Sequence, residues 1–244
     1  MFSSVLALDA ACEACSVALQ IGSKRYFRES CEPRKHAQQL LPMVHAVLQE
    51  ADVRLSELSH IAVINGPGSF TGLRIAVSVV QGLAFAANLP VVALSSLEVM
   101  AHQALLNQPS SVLPCLSVLD ARMHEVYWAV YKNNEANGYL DVVSHPQVSG
   151  DEDFRQQLAS LMQQNPSMMA VGNGLELAMV DSGVFCEQQT SLIPHACALL
   201  DALSAMPQEH VTSCKAHELE PLYVRNDVAW QKRERLRQSP ISLI

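Results

Sequence analysis

Two stretches decide the fold: Leu6-Ala-Leu-Asp9-Ala10 and, 111 residues later, Ser117-Val-Leu-Asp120-Ala121. Each is a buried-strand pattern that ends in an aspartate. A second strand pattern follows each of them, Cys15–Ile21 in the first half and Glu125–Tyr131 in the second. The repeat predicts a duplicated domain in which two strand–aspartate–turn elements face each other.

Helical patterns alternate with strand patterns along the rest of the chain. Leu40–Ala51 carries apolar residues at helical spacing, Ile61–Ile64 is typical of a buried strand, and Leu73–Asn88 is an apolar helix pattern nearly all round. Met168–Val171 and Cys197–Met206 continue the alternation. This order predicts an α/β protein. With the repeat, it predicts the duplicated actin-like ATPase fold (ASKHA, ribonuclease-H-like), whose paired turns grip phosphate and metal across a cleft.

The predicted domain boundary is Asn107–Ser111, a short polar segment that contains a proline. We therefore expect an N-terminal subdomain over 1–107, a C-terminal subdomain over 108–212 and a partly basic extension over 213–244. A solvated helical tail and a contact with RNA or a protein partner are both open for the extension. Its basic residues and the tryptophan among them are Arg225, Lys232, Arg233, Arg235, Arg237 and Trp230.

The composition indicates an acidic, well-packed protein. Of 244 residues, 49% are hydrophobic and 16% are charged, which excludes disordered and fibrous chains. The net charge of −8 weighs against a dedicated nucleic-acid binder, because a polyanion is repelled unless basic residues cluster locally. The mean hydropathy of +0.12 is high for a soluble protein. We therefore expect an extensive core or an apolar surface shared with a partner.

The sequence predicts a cytoplasmic protein without a membrane segment. No basic residue precedes the first apolar run, which reaches a carboxylate at Asp9, so this is not a secretory signal. The seven scattered cysteines are expected to be reduced thiols. Leu73–Leu94 is long enough to cross a bilayer, but its polar residues and Pro90 favour a buried helix followed by a buried strand.

The segment Asn65–Arg74 has three glycines beside a strand end. This pattern is typical of a phosphate-handling loop, in which backbone N–H groups at a helix N-terminus bind an anion. The register nevertheless fits neither a Walker loop, nor a dinucleotide fingerprint, nor a nucleophile elbow. Two interpretations stay open: an anion or nucleotide site, and a tight strand-to-helix turn packed at an interface. The residues concerned are Gly66, Gly68, Ser69, Thr71 and Gly72.

The two aspartate turns lack the glycine that phosphate-gripping turns of this fold carry after the aspartate. The chain has Asp9-Ala10-Ala11 in the first turn and Asp120-Ala121-Arg122 in the second, so methyl groups and a guanidinium occupy the space of a nucleotide. The nine histidines are spread singly, without the spacing of a metal site. We therefore predict no catalytic residue and no metal site.

Several motifs resemble the bacterial TsaB (YeaZ) family, above all its gamma-proteobacterial members. They are Glu13–Leu19, His36 with Leu41–Val44, Gly66-Pro-Gly-Ser-Phe-Thr-Gly-Leu-Arg74, Asp120-Ala-Arg-Met123, Glu125-Val-Tyr-Trp-Ala129 and Pro221-Leu-Tyr-Val-Arg225. The resemblance implies an actin-like, catalytically silent relative of TsaD. It also implies a role, with TsaD and the ATPase TsaE, in making N6-threonylcarbamoyladenosine next to the anticodon of tRNAs that read codons beginning with A. TsaC would supply the donor.

The resemblance further implies partners and cofactors. TsaD would form a heterodimer with this chain, the isolated chain would form a homodimer through the same surface, and tRNA would be reached through the complex. No cofactor is expected to bind tightly, and a weakly bound adenine nucleotide at the interface of the complex is left open. We expect the partner surface on the helices Leu73–Asn88 and Leu40–Ala51. Its predicted residues are Leu40, Val44, Val47, Arg74, Ala76, Val77, Val80, Gly82, Leu83 and Ala84.

Three other functions stay open. A working ATP-dependent kinase of the same fold would bind and hydrolyse nucleotide by itself. A peptidase of the glycoprotease type would need a nucleophile and a base, or a metal site. A direct tRNA-binding module would bind RNA alone, with a steep dependence on salt.

Overall fold

A computed structural model describes residues 3–32, 35–106, 113–134, 136, 139–177 and 185–225. These residues form two mixed β-sheets with helices packed on their faces. The strands are β1 (Ser4–Asp9), β2 (Cys15–Ile21), β3 (Lys24–Ser30), β4 (His60–Gly66), β5 (Val91–Ser95), β6 (Cys115–Arg122), β7 (Glu125–Asn134), β8 (Tyr139–Gly150), β9 (Met169–Val171), β10 (Glu187–Gln189) and β11 (Ser213–Cys214). The helices are α1 (His36–Ala51), α2 (Phe70–Ala87), α3 (Ser96–Leu106), α4 (Asp151–Gln164), α5 (Gly174–Leu177) and α6 (Ala196–Ala205).

The two sheets repeat one strand order. The first sheet runs β11-β5-β4-β1-β2-β3 and the second runs β10-β9-β6-β7-β8. In each half, the leading strand pairs antiparallel with the next strand, as β1 with β2 and β6 with β7. It also pairs parallel with a later one, as β1 with β4 and β6 with β9. Asp9 and Asp120 therefore lie at corresponding places on β1 and β6. The predicted duplicated, actin-like α/β fold is confirmed.

The cores lie on both faces of each sheet. Leu6 and Leu8 of β1 pack with α1 and α2 on one face, whereas Val5 and Ala7 pack with α6 on the other. This division follows from the strand geometry, because successive side chains point to opposite faces. In the second sheet, one face packs against α4, through Phe154, and the other against α3. Helices α3 and α6 therefore lie between the two sheets.

Three elements connect the two halves across the predicted subdomain limits. Leu97 and Met100 of α3, in 1–107, pack with the second sheet, whereas Leu199 of α6, in 108–212, packs with the first sheet. Strand β11, at the start of the predicted extension, pairs with β5 at the edge of the first sheet. The two halves thus share helices. The predicted boundary at 107–111 lies outside the described residues and stays a prediction.

The long apolar helix α2 has clear signals at both ends. The Ser69 hydroxyl accepts a hydrogen bond from the backbone N–H of Gly72 at 3.3 Å, and Asn88 ends the helix in the left-handed region. Strand β5 follows and is mostly buried, so the predicted order of a helix and then a buried strand is confirmed. The expectation of a buried helix is wrong, because α2 buries only the side that faces the first sheet and α1. Within the described ranges, α2 is the one helix that is long and apolar enough to cross a membrane by length and composition. In the structure, only 33% of that window is buried, against the first sheet and α1.

Candidate functional site

The first aspartate turn is closed to solvent. The side chain of Asp9 is buried, and its Oδ1 accepts a hydrogen bond from the backbone N–H of Ala11 at 2.9 Å. Burial raises the pKa of Asp9 to about 7, because desolvation of the carboxylate outweighs the hydrogen bonds from the Ala10 and Ala11 amides. The carboxyl group thus faces its own turn and the protein interior, which leaves it unavailable to a ligand in the cleft.

The glycine-rich loop packs directly on this turn. The backbone N–H of Ser69 donates to the Ala11 carbonyl at 2.7 Å. A Cβ atom at Gly68 would lie 2.3 Å from the Ala11 carbonyl oxygen, and one at Gly72 would lie 2.0 Å from that of Ala10. Both distances are far below van der Waals contact, so only glycine permits this approach. Of the two interpretations of the loop, these contacts favour the tight strand-to-helix turn, here packed against another turn of the same chain.

Gly66 has a different neighbour, the segment near the C-terminus. Its φ of +123° lies in a region that side chains disfavour. A Cβ atom there would also lie 2.8 Å from the Leu222 carbonyl oxygen. Thr71, the remaining residue of the predicted loop, is exposed at the first turn of α2. The predicted loop residues therefore divide between the Asp9 turn, the C-terminal segment and the surface.

The second aspartate turn is built in a similar way. Oδ1 of Asp120 accepts from the backbone N–H of Arg122 at 2.6 Å, and the Asn173 side chain accepts from the Asp120 N–H at 3.1 Å. Gly172 and Gly174 flank that asparagine and pack on β6, where Cβ atoms would lie 2.0 Å from the Val118 carbonyl oxygen and 2.7 Å from the Val118 side chain. A glycine loop after the parallel neighbour strand thus supports the turn in each half.

One side chain joins the two turns across the cleft. The guanidinium of Arg122 pairs with Asp120 at 3.0 Å and with Glu13, in the loop after the first turn, at 2.8 Å. Both Arg122 and Glu13 are largely exposed, so the bridge is worth little in stability. Its position matters more, because it places a cation and its counter-ions between the turns that would hold phosphate in an ATPase of this fold.

The structure corrects the predicted partner surface. Most of its residues face the protein's own core and are buried there, because α1 and α2 turn these sides toward the first sheet. The buried ones are Leu40, Val44, Val47, Ala76, Val77, Val80 and Ala84. Arg74 and Gly82 are exposed, and Leu83 is half-buried. A charged residue at Val80 would therefore disrupt the core rather than test a surface.

The opposite side of α2 is exposed and rich in apolar groups. We call the α2 face the row of residues at spacings of three and four that runs along this side: Phe70, Arg74, Ser78, Gly82 and Phe85. Phe70 is 45% exposed and Phe85 is 82% exposed. An open groove of about 470 Å³ lies between α2 and the start of α1, and Phe70, Arg74 and Ser78 of this row line it. Both phenylalanines were missed from the sequence, because a helix that is apolar all round does not show which side faces out.

Comparison with known proteins identifies the family. The family model "TsaD: tRNA N6-adenosine threonylcarbamoyltransferase" matches residues 31–231. The tRNA threonylcarbamoyladenosine biosynthesis protein TsaB of Escherichia coli (strain K12) is 35% identical over 239 residues, which is 93% of this chain and 97% of the relative. The Haemophilus influenzae protein of the same name is 34% identical, over 94% of this chain and 96% of its own. The solved structure of YeaZ from Pseudomonas aeruginosa is 36% identical, covers 91% of this chain and 99% of its own, and superposes with a TM-score of 0.76.

The chain belongs to the TsaB (YeaZ) family. The predicted resemblance is thereby confirmed over nearly the whole chain. A further solved structure from Pseudomonas aeruginosa, with a TM-score of 0.76, is described as an uncharacterized protein similar to peptidase YeaZ.

Two cysteines of this TsaB-family chain are weakly acidic thiols. Burial raises the pKa of Cys15 to about 11 and that of Cys115 to about 12, so both are protonated thiols at neutral pH. Across the part of the chain that the structure describes, no three His, Cys, Asp or Glu side chains come together as a metal-binding group.

The basic residues predicted to contact RNA or a partner lie mostly beyond the described ranges. Trp230, Lys232 and Arg233 fall outside them. Arg225 is described, and its guanidinium forms an ion pair with Glu125 and a 3.4 Å hydrogen bond to the Ala121 carbonyl. Arg225 is therefore not a free cation. It links the segment before it to the hairpin of the second turn.

Proposed function

We propose that this chain is a non-catalytic partner of TsaD in the formation of N6-threonylcarbamoyladenosine in tRNA. TsaE is a further component of the complex, and TsaC supplies the donor. Membership of the TsaB family supports the biosynthetic role, since the relatives are named as proteins of that biosynthesis. The observation that carries the non-catalytic role is the state of the two aspartate turns: Gly68 and Gly72 pack on the first turn, and Arg122 of the second turn bridges to Glu13.

The α2 face is the surface that would bind TsaD. Two exposed phenylalanines on one helix row supply the large apolar anchors that dominate protein interfaces, and Gly82 between them permits close approach of another backbone. A second copy of this chain would cover the same face, so a homodimer would compete with the heterodimer. With a net charge of −8, the chain would contact tRNA mainly through its partners.

We propose no tightly bound cofactor. Phosphate binds backbone N–H groups, and the N–H of Ala11 in the first turn already donates to Oδ1 of Asp9. The methyl groups of Ala10 and Ala11 also stand where phosphate-binding turns carry glycine. A weakly bound adenine nucleotide would therefore belong at the boundary with TsaD rather than in the cleft of this chain.

Reconstitution tests the proposal. Purified TsaC, TsaD and TsaE are incubated with tRNA, threonine, bicarbonate and ATP, with and without this chain, and the modified nucleoside is measured by mass spectrometry. We expect modification only when the chain is present. Equal modification in its absence would refute the proposed role.

A titration of the isolated chain with labelled ATP tests the kinase alternative. We expect neither saturable binding in the micromolar range nor hydrolysis. Tight binding together with turnover would favour a kinase-like enzyme of the same fold and contradict the non-catalytic assignment.

A further inference from the structure

The segment Leu219–Arg225, which we call the strap, is fastened along the first half of the molecule. The Leu219 side chain is buried in the core that also contains Val80 of α2, and its carbonyl accepts from the Gln81 side chain at 2.9 Å. Farther along, the backbone N–H of Leu222 donates to the Asn65 carbonyl at 2.7 Å. The strap therefore runs beside α2 and reaches the end of β4.

Tyr223 of the strap touches two residues of the α2 face. Its hydroxyl accepts from Nε of Arg74 at 2.8 Å, and its ring centroid lies 5.6 Å from that of Phe70. The Arg74 guanidinium lies 3.8 Å above the Phe70 ring centroid. The three side chains thus form one stack, in which the orientations of Phe70 and Arg74 depend on the position of Tyr223.

The other end of the strap is fastened to the second half. Arg225 pairs with Glu125, the first residue of β7, and donates to the Ala121 carbonyl, next to Asp120. This pair is only partly exposed, so it constrains the chain more than a fully solvated pair does. Two residues apart, Tyr223 and Arg225 therefore link the α2 face to the hairpin of the second aspartate turn.

We infer that the strap positions the N-terminal end of the α2 face for its protein partner. Arg225 is a positioning residue that does not itself contact the partner, and the exposed Tyr223 orders Phe70 and Arg74 beside it. This inference rests on the proposed function, since it takes the α2 face as the TsaD-binding surface. Flexible surface side chains lose rotamer freedom when a partner binds. A stack that is already ordered by the strap reduces that loss, so releasing the strap weakens binding.

A charge exchange tests this inference in the full-length chain. Arg225→Glu and Glu125→Arg each break the ion pair, and the double variant restores it with the charges reversed. We expect each single variant to weaken TsaD binding about fivefold and the double variant to recover most of the affinity. The exchange does not restore the hydrogen bond to the Ala121 carbonyl, so amide exchange in α2 is measured as well. Binding that stays weak in the double variant while the α2 amides exchange as slowly as in the parent would overturn the inference, because Arg225 itself would then contact the partner.

Hydrogen exchange in the chain alone separates this inference from the proposed function. With Arg225→Glu, we expect the amides in the first two turns of α2 to exchange about fivefold faster, and those of α4 to be unchanged. Unchanged exchange in α2 overturns the strap inference, whatever TsaD does. A different outcome is faster exchange in Arg225→Glu together with unchanged TsaD binding by Phe85→Glu. That outcome refutes the α2 face as the binding surface, and it refutes the positioning role as well.

Tyr223→Phe provides a milder second variant. It removes the hydroxyl that accepts from Arg74 but keeps the ring against Phe70. We expect about a twofold loss of TsaD affinity with an unchanged unfolding temperature. An unchanged TsaD affinity would contradict a positioning role for the Tyr223 hydroxyl.

Discussion

Asp9 and Asp120 occupy corresponding strands in the two halves of the molecule, yet their surroundings differ. Asp9 is buried beneath a glycine loop whose Gly68 and Gly72 touch the backbone of its turn. Asp120 is partly exposed and pairs with Arg122, which reaches across to the first half. Glycine loops pack on the strand backbone in both halves, but the first aspartate is buried, whereas the second is partly exposed and carries a network of charges.

The helices that follow the two glycine loops differ as well. The loop after β4 leads into α2, with 18 residues, whereas the loop after β9 leads into α5, with four. The close backbone contact of the first loop therefore anchors the long helix that carries the α2 face. Both loops use glycine to pack closely on a neighbouring backbone, but in the first half this contact places a helix long enough to carry an exposed apolar face.

The largest expected effect is a loss of folding stability when the first loop is given side chains. Gly72→Ala would place a Cβ atom 2.0 Å from the Ala10 carbonyl oxygen, where neither backbone can move without displacing α2. We expect a loss of about 3 kcal/mol in the free energy of unfolding, the range of overpacked and strained sites. Urea denaturation of the full chain measures it.

Gly82→Ala is the matched control on the same helix. A Cβ atom at Gly82 has nothing within 4 Å, and glycine inside a helix costs stability relative to alanine. We therefore expect this variant to be more stable than the parent by about 0.5–1 kcal/mol. If Gly72→Ala were tolerated as well as Gly82→Ala, the steric closure of the first turn would be refuted.

Replacing each aspartate by asparagine should change the free energy of unfolding at pH 8 in opposite directions. The pKa of Asp9 is about 7 in the folded chain, against 3.8 for an ordinary aspartate side chain, so the folded state binds the proton more tightly. The stability that this proton provides is complete at low pH and is lost as the pH rises toward 7. Asp9→Asn removes this loss, and we expect it to stabilise the protein by about 2 kcal/mol more at pH 8 than at pH 5.

Asp120→Asn is the control for that comparison. It removes the carboxylate that pairs with the largely exposed Arg122. We therefore expect a destabilisation at pH 8 of less than about 1 kcal/mol. Thermal unfolding of the parent and both variants at pH 5 and pH 8 tests the pair. A destabilising Asp9→Asn at pH 8 would show that the Asp9 carboxylate is favoured by its surroundings, contrary to its burial.

The helices after the two loops should differ in their effect on partner binding. Phe85→Glu places a charge at the most exposed apolar position of α2, and Leu177→Glu, a residue that is 50% exposed on α5, is the matched change in the second half. We expect Phe85→Glu to weaken TsaD binding at least about tenfold, as the loss of an aromatic anchor does. Leu177→Glu should leave affinity within about twofold. Calorimetric titration with TsaD measures both, and equal effects would locate the partner surface elsewhere.

The hydrophobic periodicity of the sequence predicted much of the fold, but it did not predict the site. The repeat around Asp9 and Asp120 predicted the duplication, and the pattern at Cys15–Ile21 matched β2 at both ends. Strand β8, Tyr139–Gly150, was missed, because its residues are mostly half-buried or exposed and do not alternate cleanly. Its place in the sheet depends on pairing with β7, a tertiary contact that no local pattern encodes.

The sequence could not show the function of the loop glycines, for a related reason. A glycine that lets a phosphate approach and a glycine that lets a carbonyl approach obey the same steric rule. Only the distance from Gly72 to the Ala10 carbonyl distinguishes the two uses. Likewise, the side of α2 that faces out depends on where the first sheet lies, which an all-round apolar helix does not reveal.

The smallest expected effect concerns the charge bridge of the second turn. Arg122→Ala removes both ion pairs, but Arg122 and Glu13 are largely exposed, so we expect a change in the free energy of unfolding below about 1 kcal/mol that shrinks further in high salt. Because Gly68 and Gly72 still cover the first turn, the variant should gain no measurable ATP binding. Saturable binding of labelled ATP by Arg122→Ala would reverse the comparison, since it would mean that the charges of the second turn, and not the backbone contacts of the first, keep nucleotide out of the cleft.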